Sequence, residues 1–109
     1  MAYQSLLNDS PENLLKKYYQ KLVESHIPVK ELILFGSYAK GTARFDSDLD
    51  VCVVSTIFGK NRFDERLKLT RLTRDIDSLI EPHPFHPQDL LDKYDTLAAE
   101  IRKYGKRII

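Results

Sequence analysis

Two short apolar runs, Leu32–Phe35 and Val51–Val54, are joined by the stretch GSYAKGTARFDSDLD, and this arrangement limits the fold more than any other part of the chain. Each run is too short for an amphipathic helix and shows no polar face, so each reads as a strand buried on both sides. Gly36 stops the first run, and Ser37 adds a hydroxyl beside it. Asp48 and Asp50 open the second run. Residues two apart on an extended segment point to the same side, so the two carboxylates are expected to converge.

Converging carboxylates repel unless solvent or a cation lies between them. Magnesium is a hard cation that takes oxygen ligands, and one or two carboxylates hold it when phosphates and water complete its shell. A Gly-Ser turn close by offers backbone N–H groups and a hydroxyl to those phosphates. Taken alone, Asp48-Leu49-Asp50 is also ordinary turn chemistry. The combination is more specific: strand, Gly36-Ser37, ten residues, Asp48-Leu49-Asp50, strand. It resembles the G-S-x10-D-x-D signature of the DNA-polymerase-beta-like nucleotidyltransferase superfamily. The fuller string GSYAKGTARFDSDLD is similar to the minimal, stand-alone branch of that superfamily.

The resemblance runs from about Val29 to Gly105, and it implies a small mixed sheet with helices packed on it. It also implies a third acid on a later strand. That position falls best on Glu81 of Ser78-Leu79-Ile80-Glu81, a strand read as ended by Pro82 and Pro84, with Asp77 as the rival. Three carboxylates suit two magnesium ions. The implied metal ligands and catalytic acids are therefore Asp48, Asp50 and Glu81, with Gly36, Ser37 and Arg44 on the nucleotide. Lys40, Lys60 and Arg62 are further cations that a triphosphate could recruit, although each also suits a solvated surface.

The implied activity moves a nucleoside monophosphate, AMP from ATP, onto a hydroxyl. The resemblance further implies a partner, because chains of this size in that superfamily often accompany a small helical HEPN protein, and in toxin–antitoxin pairs a tyrosine of the HEPN toxin is the acceptor. Two other readings remain open: a non-catalytic antitoxin that works by covering its partner, and an aminoglycoside-type transferase whose cleft is completed by a homodimer. The 109 residues read as one minimal domain, so the wall around the acceptor is expected from another chain.

The remaining sequence reads as scaffold. Ser10-Pro11-Glu12 starts a helix to about Glu24, with Leu14, Leu15, Tyr18, Leu22 and Val23 as its apolar stripe. Phe63 to about Ile76 reads as a second helix whose interleaved charges, Arg66 among them, describe a solvated face. His83 and His86 lie in EPHPFHP, read as a rigid proline-rich turn rather than a metal site. Pro87 opens a third helix, and a last one ends at Gly105.

A formal charge of +1 gives no global basic field, so nucleic acid is not expected as a partner. One cysteine, Cys52, has no disulfide partner, and the N-terminal stretch MAYQSLLNDSPENLL lacks a signal-peptide pattern. No apolar run reaches membrane-spanning length. The expectation is a cytoplasmic protein.

Overall fold

The computed structural model describes residues 5–109, so Met1–Gln4 of the N-terminal stretch lie outside the described residues. The elements in chain order are α1 (Pro11–Glu24), β1 (Glu31–Phe35), α2 (Ser37–Lys40), β2 (Leu49–Val54), α3 (Arg62–Arg71), β3 (Ile80–Phe85), a 3-10 turn (Asp89–Leu91), α4 (Thr96–Tyr104) and β4 (Lys106–Arg107). The four strands form one mixed sheet in the order β3-β2-β1-β4. β1 runs antiparallel to β2 and β4, whereas β3 runs parallel to β2. The α/β reading therefore holds, with a mixed sheet and helices packed on it.

The two apolar runs are strands because both faces of the sheet are covered. Leu49, Val51 and Val53 join Leu32, Leu34 and the α1 residues Leu14, Leu15, Tyr18 and Leu22 in one core, which Leu69 of α3 completes. On the other face Cys52, Val54, Phe35 and Phe85 pack with Ala98 and Ile101 of α4. Burial of Cys52 raises its thiol pKa, so it packs as a small protonated apolar group.

The start of α1 is as expected. The Ser10 hydroxyl accepts from the Asn13 N–H at 3.2 Å, and Pro11 occupies the first turn, where no N–H is needed. Val23 leaves the stripe and is exposed. His26 takes φ 62° just beyond the helix, the left-handed conformation that ends it. At the far end of the chain a Cβ on Gly105 would lie 2.4 Å from the Ile101 carbonyl and 2.7 Å from Ile33, so only glycine lets α4 turn this tightly into β4. Ile108 and Ile109 then pack against the core.

Three boundaries differ from the sequence reading. β3 does not stop at Pro82 and Pro84; it runs through both. The Leu79 and Phe85 carbonyls accept from the Leu49 and Ser55 N–H groups at 2.8 and 3.0 Å, so odd-numbered residues turn their polar groups toward β2. The prolines fall at the alternate positions of an edge strand, where the missing N–H would face away from the sheet. The second helix ends at Arg71 rather than Ile76. The Thr73 hydroxyl donates to the Thr70 carbonyl at 2.7 Å and its own N–H bonds the same carbonyl, which draws the chain into turns. In place of a third helix from Pro87 there is the 3-10 turn, followed by α4, capped by the Asp95 carboxylate on the Leu97 and Ala98 N–H groups. Among the described residues, no helix is long and apolar enough to cross a membrane.

The Tyr18 hydroxyl, inside the core, donates to the Leu69 carbonyl at 2.8 Å and ties α1 to α3. Tyr18→Phe would strand that buried carbonyl, so urea titration should show a loss of about 1–2 kcal/mol. An unchanged midpoint would mean that the bond adds nothing to the docking of the helices.

Candidate active site

The acids meet because of strand register. Asp50 stands opposite Phe35 on one side and Glu81 on the other, and His83 is the partner of Cys52. Asp50, Cys52 and Val54 therefore share a sheet face with Glu81, His83 and Phe85. That is the α4 face, and the acids lie at the end of it where β1 finishes and β2 and β3 begin.

Each oxygen of Asp50 has a defined neighbour. Oδ2 lies against Gly36, where a Cβ would come within 2.3 Å of it. Oδ1 lies 3.4 Å from Nε2 of His83, whose ring meets Phe35 edge-on at 5.1 Å. Gly36 adopts φ 74°, which side chains rarely tolerate, so glycine is required there for conformation as well as space. The expected Gly-Ser turn is in fact a single helical turn, α2, with Gly36 at its cap and Ser37 as its first residue. The Ala39 and Lys40 N–H groups bond the Gly36 carbonyl, and the earlier N–H groups have no partner within the helix.

Asp50, Glu81 and His83 each present a ligand atom, and the three atoms lie within 4.8 Å of one another. Asp48 is outside this group: it is exposed, on the loop immediately before β2, where strand alternation does not yet govern its direction. Glu81 has a counter-charge in Arg66, whose guanidinium lies 3.7 Å from Oε2. Asp77 does not point into the site. It is buried, and its two oxygens accept from the Asn8 N–H at 2.8 Å and the Leu79 N–H at 2.9 Å. Its role is to hold the segment ahead of α1 and the entry to β3.

The basic candidates separate in the same way. Lys40 donates to Glu100 at 2.8 Å and lies over the Tyr104 ring; the bond to Glu100 raises its pKa, and the pair links α2 to α4. Arg62 pairs with Asp89 at 3.5 Å and lies over the Phe85 ring. The Lys60 N–H bonds Glu65 in the loop before α3. Arg44 is exposed on the loop before Asp48, and its N–H bonds the Ser47 hydroxyl at 2.7 Å.

His83 and Arg66 are the residues that the sequence reading left out of the site. Two prolines made His83 resemble part of a turn, and Arg66 was one charge among many on a solvated helix. The signal that would have found them is the alternation Glu81, His83, Phe85 continued through the prolines.

The mixed sheet brings a central-strand aspartate, an edge-strand acid and a bare glycine turn together, with Asp50, Glu81 and His83 as a group that could hold a metal ion. The comparisons make the class specific. Residues 15–107 match the model of the nucleotidyltransferase domain family, and the chain belongs to that family. A putative protein adenylyltransferase of Methanocaldococcus jannaschii is 37% identical over 73 residues, covering 67% of this chain and 45% of that protein. The chain thus spans less than half the length of this relative. A crystal structure of a toxin–antitoxin with AMP-PNP superposes with TM-score 0.61 and 25% identity, over 90% of this chain and 72% of that one. A second complex, a tri-AMPylated Shewanella oneidensis HEPN toxin with an MNT antitoxin, has TM-score 0.55 and 21% identity over 90% and 71% of the chains, a likeness of fold alone.

The two rival acids should separate in stability measurements. Asp77→Asn should lower unfolding free energy by about 1–3 kcal/mol, because a buried acceptor of two backbone bonds is compromised. Glu81→Gln should stay within about 0.5 kcal/mol of the parent, as a half-exposed side chain with a weak ion pair. The opposite order would place Glu81 in the scaffold and reopen the site to Asp77.

Proposed function

We propose that this chain is a magnesium-dependent nucleotidyltransferase that moves AMP from ATP onto a hydroxyl, with a tyrosine of a HEPN toxin as acceptor, and that it acts as an antitoxin in the cytoplasm. The observation that carries the reading is the register of Asp50 against Glu81 beside Gly36, in a chain of the nucleotidyltransferase family. The naming of the archaeal relative as an adenylyltransferase and the AMP-PNP in the similar toxin–antitoxin complex support adenylate as the transferred group.

The donor set fits the metal. Asp50 and Glu81 offer hard oxygens at short range, and the Asp50 carboxylate has room beside Gly36 because glycine carries no side chain. Asp48, Asp50 and Glu81 would hold two magnesium ions. Magnesium, when bound, supplies charge to the α-phosphate and lowers the pKa of the attacking hydroxyl.

The chain's own residues do the rest. The N–H groups of the first turn of α2 and the Ser37 hydroxyl hold the β- and γ-phosphates, which can approach closely because Gly36 carries no side chain. Arg44 adds a cation from the loop before Asp48. Glu81, next to Asp50, takes the proton from the attacking hydroxyl. The new bond joins that oxygen to the α-phosphorus, the bond to the β-phosphate oxygen breaks, and pyrophosphate leaves. Ser37 is a contact, not the nucleophile.

The test uses α-labelled ATP and magnesium with the pure protein and with the proteins that co-purify with it. Label on a partner tyrosine is expected. A tight complex with no transfer would instead favour an antitoxin that works by covering its partner. Asp48→Asn combined with Asp50→Asn should abolish metal-dependent ATP binding while the protein stays folded; ATP affinity equal to the parent's would refute the metal site. Ser37→Ala should weaken ATP binding several-fold, about 1 kcal/mol for a neutral hydrogen bond, and Gly36→Ala should weaken it more. The reverse order would leave the turn a structural role only.

A further inference from the structure

Beyond the outer edge of β3 lies a cleft of about 400 Å³ whose lining includes Arg62, Phe63 and Arg66 of α3, His83 and Phe85 of β3, and Leu97 of α4. Nothing in the transferase reading uses it. Two of its lining residues contact the acids: His83 is 3.4 Å from Asp50, and Arg66 is 3.7 Å from Glu81.

Its position across the sheet is informative. The strand order puts the Gly36 turn at the end of β1, Asp50 on β2, Glu81 on β3, and the cleft outside β3. Displacement at phosphorus is in line, so the acceptor oxygen enters opposite the departing pyrophosphate. With pyrophosphate at the β1 turn, the acceptor must arrive from the β3 side. The edge of β3 cannot pair with an incoming strand there, since Pro82 and Pro84 occupy its outward positions. The acceptor is therefore held by side chains.

Those side chains define what fits. Phe63 is 77% exposed, and it lines the cleft together with Phe85 and Leu97. The two guanidiniums on the rim attract carboxylates, and each now rests on a carboxylate of this chain, Asp89 or Glu81. We propose that the cleft is the acceptor subsite and that it takes an aromatic side chain bearing the reacting hydroxyl, presented beside acidic residues. This rests on the transferase reading for its polarity. An incoming carboxylate that draws Arg66 away also frees Glu81 for the reaction.

The test uses the intact protein and three random copolymers, poly(Glu,Tyr), poly(Lys,Tyr) and poly(Glu,Ala), with binding read by fluorescence anisotropy without nucleotide and transfer read with α-labelled ATP. Poly(Glu,Tyr) should bind about tenfold or more tightly than either of the others. Phe63→Ala should lose about tenfold in affinity for it with ATP affinity unchanged, since the ring is exposed and far from the phosphate turn. Arg62→Glu should erase the preference for Glu over Lys. Equal binding of the three copolymers, or a Phe63→Ala variant that binds poly(Glu,Tyr) as the parent does, overturns the subsite. Label transferred to poly(Glu,Tyr) with no effect of Phe63→Ala overturns the subsite and keeps the transferase. The predicted binding pattern with no transfer to the copolymer overturns the acceptor role of the cleft, while labelling of a partner tyrosine still decides the transferase.

Discussion

The site depends on one close approach. Asp50 is the half-exposed residue of an otherwise buried central strand, and its Oδ2 occupies the space that a side chain on Gly36 would fill. The absence of a side chain there leaves room for the carboxylate at the end of β1, while the backbone, at φ 74°, turns into α2. The glycine thus brings the end of β1, the turn into α2 and the Asp50 carboxylate together in one place.

Around that contact the sheet sorts its chemistry by strand. The Gly36 turn belongs to β1, Asp50 to β2, Glu81 to β3, and the cleft proposed for the acceptor to the space between β3, α3 and α4. The parallel pairing of β3 with β2 is what brings Glu81 level with Asp50; a slip of one residue would turn Glu81 to the opposite, fully packed face. The hydrophobic core enforces that register, because Ile80, on the opposite face, is buried with Leu49, Val51 and Val53. Core packing and site geometry are therefore two results of one constraint.

The sequence made legible what local chemistry controls. Apolar runs bounded by glycine and aspartate became β1 and β2, and the Ser10-Pro11 cap became the start of α1. Where tertiary context decides, local rules misled. Proline forbids a central ladder position but not the outward positions of an edge strand, and edge status cannot be read from one strand alone. That is why β3 seemed to end at Glu81 and why His83 was assigned to a turn. Glu81 rather than Asp77 was argued partly from a proline stop that does not exist; the fold itself sets Glu81 level with Asp50 and engages Asp77 with the Asn8 and Leu79 N–H groups. Asp48 lies one residue before β2, so period-two alternation alone does not set its direction relative to Asp50.

The central claim is that Asp50 and Glu81 together, not Asp77, form the cation site that a triphosphate completes. Manganese can stand in for magnesium and broadens the signals of nuclei close to it. With aspartate and glutamate carboxyl carbons labelled with carbon-13, titration with manganese and ATP should broaden Asp50, Glu81 and Asp48 first while Asp77 stays sharp. Broadening of Asp77 ahead of Glu81, or equal broadening of all surface carboxylates with no early set, would contradict the account.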